Sequence, residues 1–95
     1  MLKSVKMACR KSTDAFDDEF LELITEAKQD LKSAGITNSE DEENPLIRKA
    51  IKLYCRLNFG QPDDYDKLKL AYDELKAQLQ MSDGYTDWSG GNGQV

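Results

Sequence analysis

Residues 44–60 constrain the fold more than any other stretch, because they carry a helix start, a helix stop and a two-sided pattern between them. Asn44 can cap a helix with its side-chain oxygen, and Pro45 suits the first helical position, where no backbone N–H is needed. Gly60 can adopt the left-handed conformation that often ends a helix. At about 100° per residue, one arc of this helix is apolar. The arc comprises Leu46, Ile47, Ala50, Ile51, Leu53, Tyr54 and Leu57.

The opposite arc of the same helix is cationic. It comprises Arg48, Lys49, Lys52 and Arg56, and residues 45–60 contain no acidic side chain. Three interpretations of this face stay open. It could contact DNA phosphates weakly and in a salt-sensitive way, it could be an ordinary solvated surface, or it could pair with an acidic surface on another copy of the chain.

A second amphipathic helix is predicted over residues 18 to 33 or 34, with Gly35 as its C-cap. Asp17 is the expected N-cap, and Phe16 and Leu21 have the spacing of a hydrophobic staple across that cap. The predicted core face of this helix comprises Phe20, Leu23, Ile24, Ala27, Leu31 and Ala34.

The far side of the second helix is acidic, and we expect it to be solvated, without the burial that shifts the pKa of a carboxyl group. If both helices bury their apolar faces in one bundle, both charged faces point outward. That arrangement suits a head-to-tail contact between copies, which closes into a ring when the rotation allows. The predicted subunit interface pairs an acidic stripe (Glu19, Glu22, Glu26 and Asp30) with a basic stripe (Arg48, Lys52 and Arg56).

Two further helices complete an all-α fold, a compact bundle of about four helices. A short helix is predicted over residues 2–11, and a fourth is predicted to end near Gln80 after a cap at Asp63 or Asp64. The four consecutive acids at 40–43 predict a solvated loop between the two long central helices. The predicted core face of the fourth helix comprises Tyr65, Leu68, Ala71, Tyr72, Leu75 and Leu79, whereas Leu70 falls on its polar side.

The last residues differ in composition from the rest. We predict one helical domain over 1–81 and a flexible tail over 82–95, which holds four of the six glycines. The tail also holds Tyr85 and Trp88, the only tryptophan in the chain. These aromatic residues could anchor to the surface of a partner or fold back on the bundle, and both possibilities stay open.

Several classes of function are disfavoured by composition. The net charge of −5 argues against a free-standing nucleic-acid binder, although the charge alternates in blocks along the chain. With no histidine and no glycine-rich phosphate loop before a helix, we expect no catalytic residues and no enzyme. Cys9 and Cys55 are far apart and form no CxxC motif, so we expect reduced thiols, no metal site and no cofactor. Without a signal peptide or an apolar run of about 20 residues, we expect no membrane partner.

The order and spacing of these features resemble the small head–tail connector proteins of long-tailed phages, over roughly residues 2 to 85. Each segment alone is weakly specific, and the resemblance depends on their order. It is carried by Leu2-x-x-Val5-Lys6, by Phe16-Asp17-Asp18-Glu19-x5-Thr25-x-Ala27-x2-Asp30-Leu31-x3-Gly35-Ile36, by Asn44-Pro45-Leu46-Ile47-x2-Ala50-Ile51-x2-Tyr54 with Phe59-Gly60, and by Leu68-x3-Tyr72-Asp73-x-Leu75-Lys76-x2-Leu79.

The resemblance implies a structural adaptor of the virion, sometimes labelled a DNA-packaging protein and made in the cytoplasm of the host bacterium. Such proteins assemble as a homo-oligomeric ring, of about twelve copies, under the portal. The ring extends the DNA channel and completes the head for attachment of the next head-completion or tail protein, while DNA only passes through. The alternative is a small cytosolic helical regulatory module that binds a partner protein, or DNA weakly through residues 45–59.

Overall fold

The computed structural model describes residues 1–81, and these form four helices. The helices are α1 (Leu2–Ala8), α2 (Asp17–Ser33), α3 (Pro45–Asn58) and α4 (Tyr65–Met81). The predicted all-α class is confirmed. Residues 82–95, with Tyr85 and Trp88, lie outside the described residues, so the predicted tail stays a prediction. Across residues 1–81, every helix is too short or too polar to cross a membrane.

The helices alternate in direction along the bundle. The end of α1 meets the start of α2, where Lys6 Nζ lies 2.9 Å from an Asp17 carboxylate oxygen. The end of α3 also meets the start of α2, because the rings of Phe59 and Phe20 are 4.4 Å apart. The end of α4 lies beside the end of α2, where the Gln80 side chain donates to the Ala34 carbonyl at 2.8 Å. We call these two ends of the bundle the Phe59 end and the Gly35 end.

The core forms around α3, which packs against all three other helices. Most of the predicted core positions are buried, but Tyr65 is 43% exposed and Ala34 is only partly buried. Cys55 and Ile36 are fully buried, although neither was predicted to be. Because α3 is surrounded on three sides, its buried side is shifted toward Cys55, and three residues of the predicted apolar arc are only partly buried. The buried residues of the three long helices are Phe20, Leu23, Ile24, Ala27 and Leu31 in α2, Ile47, Ala50, Ile51, Cys55 and Leu57 in α3, and Leu68, Tyr72, Leu75 and Leu79 in α4.

The predicted start and stop of the central helix are confirmed. Asn44 Oδ1 accepts hydrogen bonds from the backbone N–H groups of Leu46 at 2.9 Å and Ile47 at 3.3 Å. These bonds satisfy donors that have no partner inside the helix. Gly60 has a φ of 68° and follows Phe59, which is already extended, so the chain turns away after Asn58.

The predicted cap of α2 is wrong by one position. Phe16 occupies the N-cap position and the helix begins at Asp17. No N-cap side chain accepts a hydrogen bond from the first turn of this helix. The Asp17 carboxylate pairs with Lys6 instead, and the Phe16 ring packs edge-on against Phe59 at 5.3 Å. Leu21 remains 48% exposed. Contacts with α1 and α3, rather than a local cap and staple, therefore position the start of α2.

Gly35 follows the end of α2 as predicted, with a φ of 90°. The Gly35 N–H donates to the Lys32 carbonyl at 2.9 Å, and the Ile36 N–H donates to the Leu31 carbonyl at 3.1 Å. This pair of bonds is a Schellman motif, which commonly brings the residue after the glycine against the last turn of the helix. It explains why Ile36 is buried although it lies outside every helix.

The first helix ends three residues earlier than predicted, through the same motif without a glycine. The Arg10 N–H donates to the Met7 carbonyl at 3.1 Å, and the Lys11 N–H donates to the Lys6 carbonyl at 2.9 Å. Arg10 therefore has a φ of 58°, in the left-handed region that costs an L-residue about 1–2 kcal/mol.

Replacing Arg10 by glycine is expected to stabilise the fold by about 1 kcal/mol, because glycine adopts this conformation without a steric penalty. In a domain of this size, that gain corresponds to a rise of about 4–8 °C in the thermal midpoint, measured by circular dichroism. Arg10→Ala is the matched control, since it removes the same charge but keeps the strained backbone. Equal midpoints for the two variants would contradict this explanation of the turn.

Candidate assembly surface

The predicted acidic stripe lies along α2, and its members differ in their surroundings. Glu19, Glu22 and Glu26 are exposed, whereas Asp30 is partly buried. Glu26 Oε1 accepts a hydrogen bond of 3.3 Å from the Tyr54 hydroxyl of α3. Glu19 and Glu22 have no hydrogen-bond or ion-pair partner among residues 1–81. The first half of the stripe is therefore available to another molecule.

Asp30 is occupied by contacts within the subunit. Its Oδ2 accepts a hydrogen bond from the Tyr72 hydroxyl and lies 3.0 Å from Lys76 Nζ, both on α4. Burial by itself would raise the pKa of Asp30, but the hydrogen bonds from Tyr72 and Lys76 outweigh it and lower that pKa. The expectation that this face leaves every carboxyl pKa unshifted is wrong at Asp30, which joins α2 to α4.

Asp30→Asn is expected to make the free energy of unfolding depend less on pH at acidic pH. Because the pKa of Asp30 in the folded chain lies below its ordinary value of 3.8, the ionised group stabilises the fold at neutral pH. This contribution is lost as the pH falls through the ordinary pKa toward the lower folded value. Between about pH 6 and about pH 3, the free energy of unfolding in urea should therefore decrease more in the wild type than in Asp30→Asn.

Glu19→Gln is the matched control for this titration, because Glu19 is an exposed acid of the same helix without a partner among residues 1–81. The control should retain the decrease seen in the wild type. A decrease of the same size in Asp30→Asn would show that the Tyr72–Asp30–Lys76 contacts contribute nothing to the stability at neutral pH.

The predicted basic stripe on α3 is less exposed than its pattern indicated. The Arg48 guanidinium donates to Ser4 Oγ at 2.6 Å and to the Glu42 carbonyl at 3.1 Å, so it joins α1 to the loop before α3. Arg56 lies 3.6 Å from an Asp64 carboxylate oxygen. Lys52 is partly buried and has no partner within residues 1–81.

Lys49 was placed on the cationic arc but not in the predicted interface. It is exposed on α3 and likewise has no partner in the described part of the chain. Inside one subunit, no ion pair joins the acidic stripe to the basic stripe over residues 1–81. Among the acidic stripe and the cationic arc of α3, the charges left for an external partner are therefore Glu19 and Glu22 on α2, and Lys49 and Lys52 on α3.

The acidic run at 40–43 is not wholly solvated as predicted. Glu42 is partly buried, and its carboxylate accepts a hydrogen bond from Lys28 Nζ of α2, which also lies 3.4 Å from Glu40. The bond with Glu42 raises the pKa of Lys28, and Lys28 lowers the pKa of Glu42. This loop is thus fixed to α2 by ion pairs between residues distant in sequence, which no local pattern revealed.

The two cysteines are free thiols. Cys9 is partly buried, and Cys55 is fully buried in the core. Burial raises the pKa of Cys55 to about 12, so this side chain is protonated at neutral pH and packs as a small apolar group. Cys55 therefore belongs to the core and not to a reactive site.

Comparison with known proteins gives one family. The model of a family described as phage connector protein matches residues 1–86, which include all four helices. Neither the curated proteins nor the solved structures include a significant match.

Proposed function

Because the chain belongs to the phage connector protein family, we propose that it assembles as a ring under the portal, extends the DNA channel and completes the head for tail attachment. Membership gives it a structural role in contact with other head or tail proteins. The observation that carries the proposal is the family match over the whole helical domain. The unpaired charges on α2 and α3 support the ring, since the acids of one copy can pair with the lysines of one neighbour while its own lysines pair with the acids of the other.

The proposed subunit contact is narrower than the pairing of complete stripes. Arg48 and Asp30 hold parts of their own subunit together, and Arg56 lies beside Asp64 in a weak, exposed pair, so we give these three residues a supporting role at the interface. In the proposed contact, Glu19 and Glu22 of one copy face Lys49 and Lys52 of the next copy. Exposed pairs contribute only about 0–1 kcal/mol each, so charge would select the orientation of the contact rather than supply most of its free energy.

The DNA-binding alternative receives little support from the positions of the basic side chains. Two arginines of α3 have partners inside the subunit, and its unpaired cations are Lys49 and Lys52. Two lysines neutralise few phosphates, and binding of that kind is weak at physiological salt. In the proposed ring, DNA passes through the channel without being held by α3.

The proposal is tested by mixing the purified chain with DNA-filled heads of its own phage, isolated before the connector is attached. We expect the chain to co-sediment with these heads in several copies per particle. Heads assembled without a portal are the control, and they should bind none. Equal binding to both kinds of head, or no binding to either, would contradict the connector role and favour a regulatory module with another partner.

A further inference from the structure

A shallow cleft lies at the Phe59 end of the bundle, where α1 and α3 finish and α4 begins. Its apolar lining includes Phe59, Pro62 and Leu68, and its charged lining consists of Arg10 and Arg56. A cleft of this composition suits a ligand that carries both an apolar ring and a negative charge. Of the two predicted stripes, only Arg56 lines this cleft.

The cations at this cleft are available. Arg10 is exposed and has no partner among residues 1–81. Arg56 has only the 3.6 Å contact with Asp64, and both side chains are more than two-fifths exposed, so this pair is weak and can exchange partners. Lys11 Nζ lies 5.9 Å from the centre of the Phe59 ring, which adds a third positive charge beside the aromatic lining.

A segment of matching chemistry occurs in this sequence after α4. Within six residues it contains two acids, Asp83 and Asp87, and two aromatic side chains, Tyr85 and Trp88. It contains no lysine or arginine. Its charge and its aromatic content are therefore complementary to the cleft.

The tail of the same copy is badly placed to fill the cleft. Leu68 lines the cleft, whereas α4 ends at Met81, next to Gln80, whose side chain bonds to Ala34 at the opposite end. Met81 lies thirteen residues after Leu68 on the same helix, a distance of about 20 Å. Tyr85 and Trp88 are four and seven residues beyond Met81, so Tyr85 can reach back at most about 14 Å, and Trp88 about 25 Å only if the chain is fully extended. The tail of the same copy therefore cannot bring both aromatic side chains to the cleft.

We propose that the cleft at the Phe59 end binds residues 82–95 of a neighbouring copy, with the aromatic side chains against Phe59 and Pro62 and the acids near Arg10 and Lys11. This inference rests on the proposed ring, because each subunit would give its tail to one neighbour and receive a tail from the other. Such tethering raises the effective concentration of the tail to about the millimolar range, so a weak site is sufficient.

The test uses the full chain carrying Trp88→Ala, to which a synthetic peptide of residues 82–95 is added. The peptide then holds the only tryptophan, so its fluorescence reports binding directly. We expect a saturable blue shift at peptide concentrations up to about 1 mM. Adding Arg10→Glu and Lys11→Glu to the protein should weaken binding by about tenfold, because two attractions become repulsions. Lys3→Glu, an exposed reversal on α1 near the Gly35 end, should leave binding unchanged.

A peptide with Asp83→Asn and Asp87→Asn should also bind more weakly, and this measurement stands even if a charge-reversed protein fails to fold. Absence of a saturable shift, or equal affinity for the protein with and without the two reversals, would overturn the proposal. Neither result depends on the portal. If the peptide fails to bind while the chain still co-sediments with portal-bearing heads, the tail site is wrong and the connector role stands.

Discussion

Replacing Phe20 by alanine is expected to lower the free energy of unfolding by about 3–5 kcal/mol, the usual cost of truncating a fully buried aromatic side chain. Phe20 is completely buried and lies 4.4 Å from the Phe59 ring, which also contacts Phe16. The cavity would therefore open where α2 begins and α3 ends. Domains of this kind have a total stability of about 5–15 kcal/mol, so the change removes a large part of it.

Urea unfolding followed by circular dichroism measures this loss, with the midpoint and slope compared between variants. Leu21→Ala is the matched control, because Leu21 is the next residue on the same helix and is 48% exposed. Surface changes of this type usually stay within about 0.5 kcal/mol. A loss of similar size in both variants would mean that the start of α2 does not pack as the structure shows.

Reversing Glu19 and Glu22 to lysine is expected to abolish incorporation of the chain into portal-bearing heads while leaving its stability nearly unchanged. Both acids are exposed and lack partners among residues 1–81, so the subunit itself loses no contact. Between neighbours, each proposed attraction to Lys49 and Lys52 would become a repulsion. The effect repeats at every contact of a ring, so small energies at each pair add up around it.

Co-sedimentation with the heads gives the readout, and the reciprocal variant Lys49→Glu with Lys52→Glu should fail in the same way. Combining both reversals in one chain should restore incorporation, because the charges are exchanged rather than removed. Asp66→Lys with Glu74→Lys, two exposed acids of α4, is the control and should incorporate normally. Normal incorporation of the variant with Glu19→Lys and Glu22→Lys would contradict the proposed pairing.

Local sequence signals predicted the long helices well, because caps and periodicity act over a few residues. Asn44 lies at the start of α3, where its side chain caps the helix, and Gly35 lies just after α2, where its backbone adopts a left-handed conformation. The apolar spacing also identified most of the core, since a helix must turn its apolar side toward its neighbours. The predicted cap of α2 was wrong, because the Phe16 ring packs against Phe59, which is distant in sequence.

The candidate surface was less predictable, because its side chains choose partners that are distant in sequence. Arg48 bonds to Ser4 across 44 residues, and Tyr72 bonds to Asp30 across 42. A charge pattern along one helix shows which side a residue lies on, but not whether another helix has already neutralised it. The structure therefore leaves three members of the two stripes available, Glu19, Glu22 and Lys52, and places Lys49 beside them as a fourth available charge.

Electron cryomicroscopy of portal-bearing heads after addition of the chain tests the connector role most directly. We expect a closed ring of identical four-helix subunits beneath the portal, around a channel that continues the portal channel. In this ring, α2 of each subunit should lie next to α3 of the following one. Single copies bound elsewhere on the particle, or no added density at the portal, would contradict it.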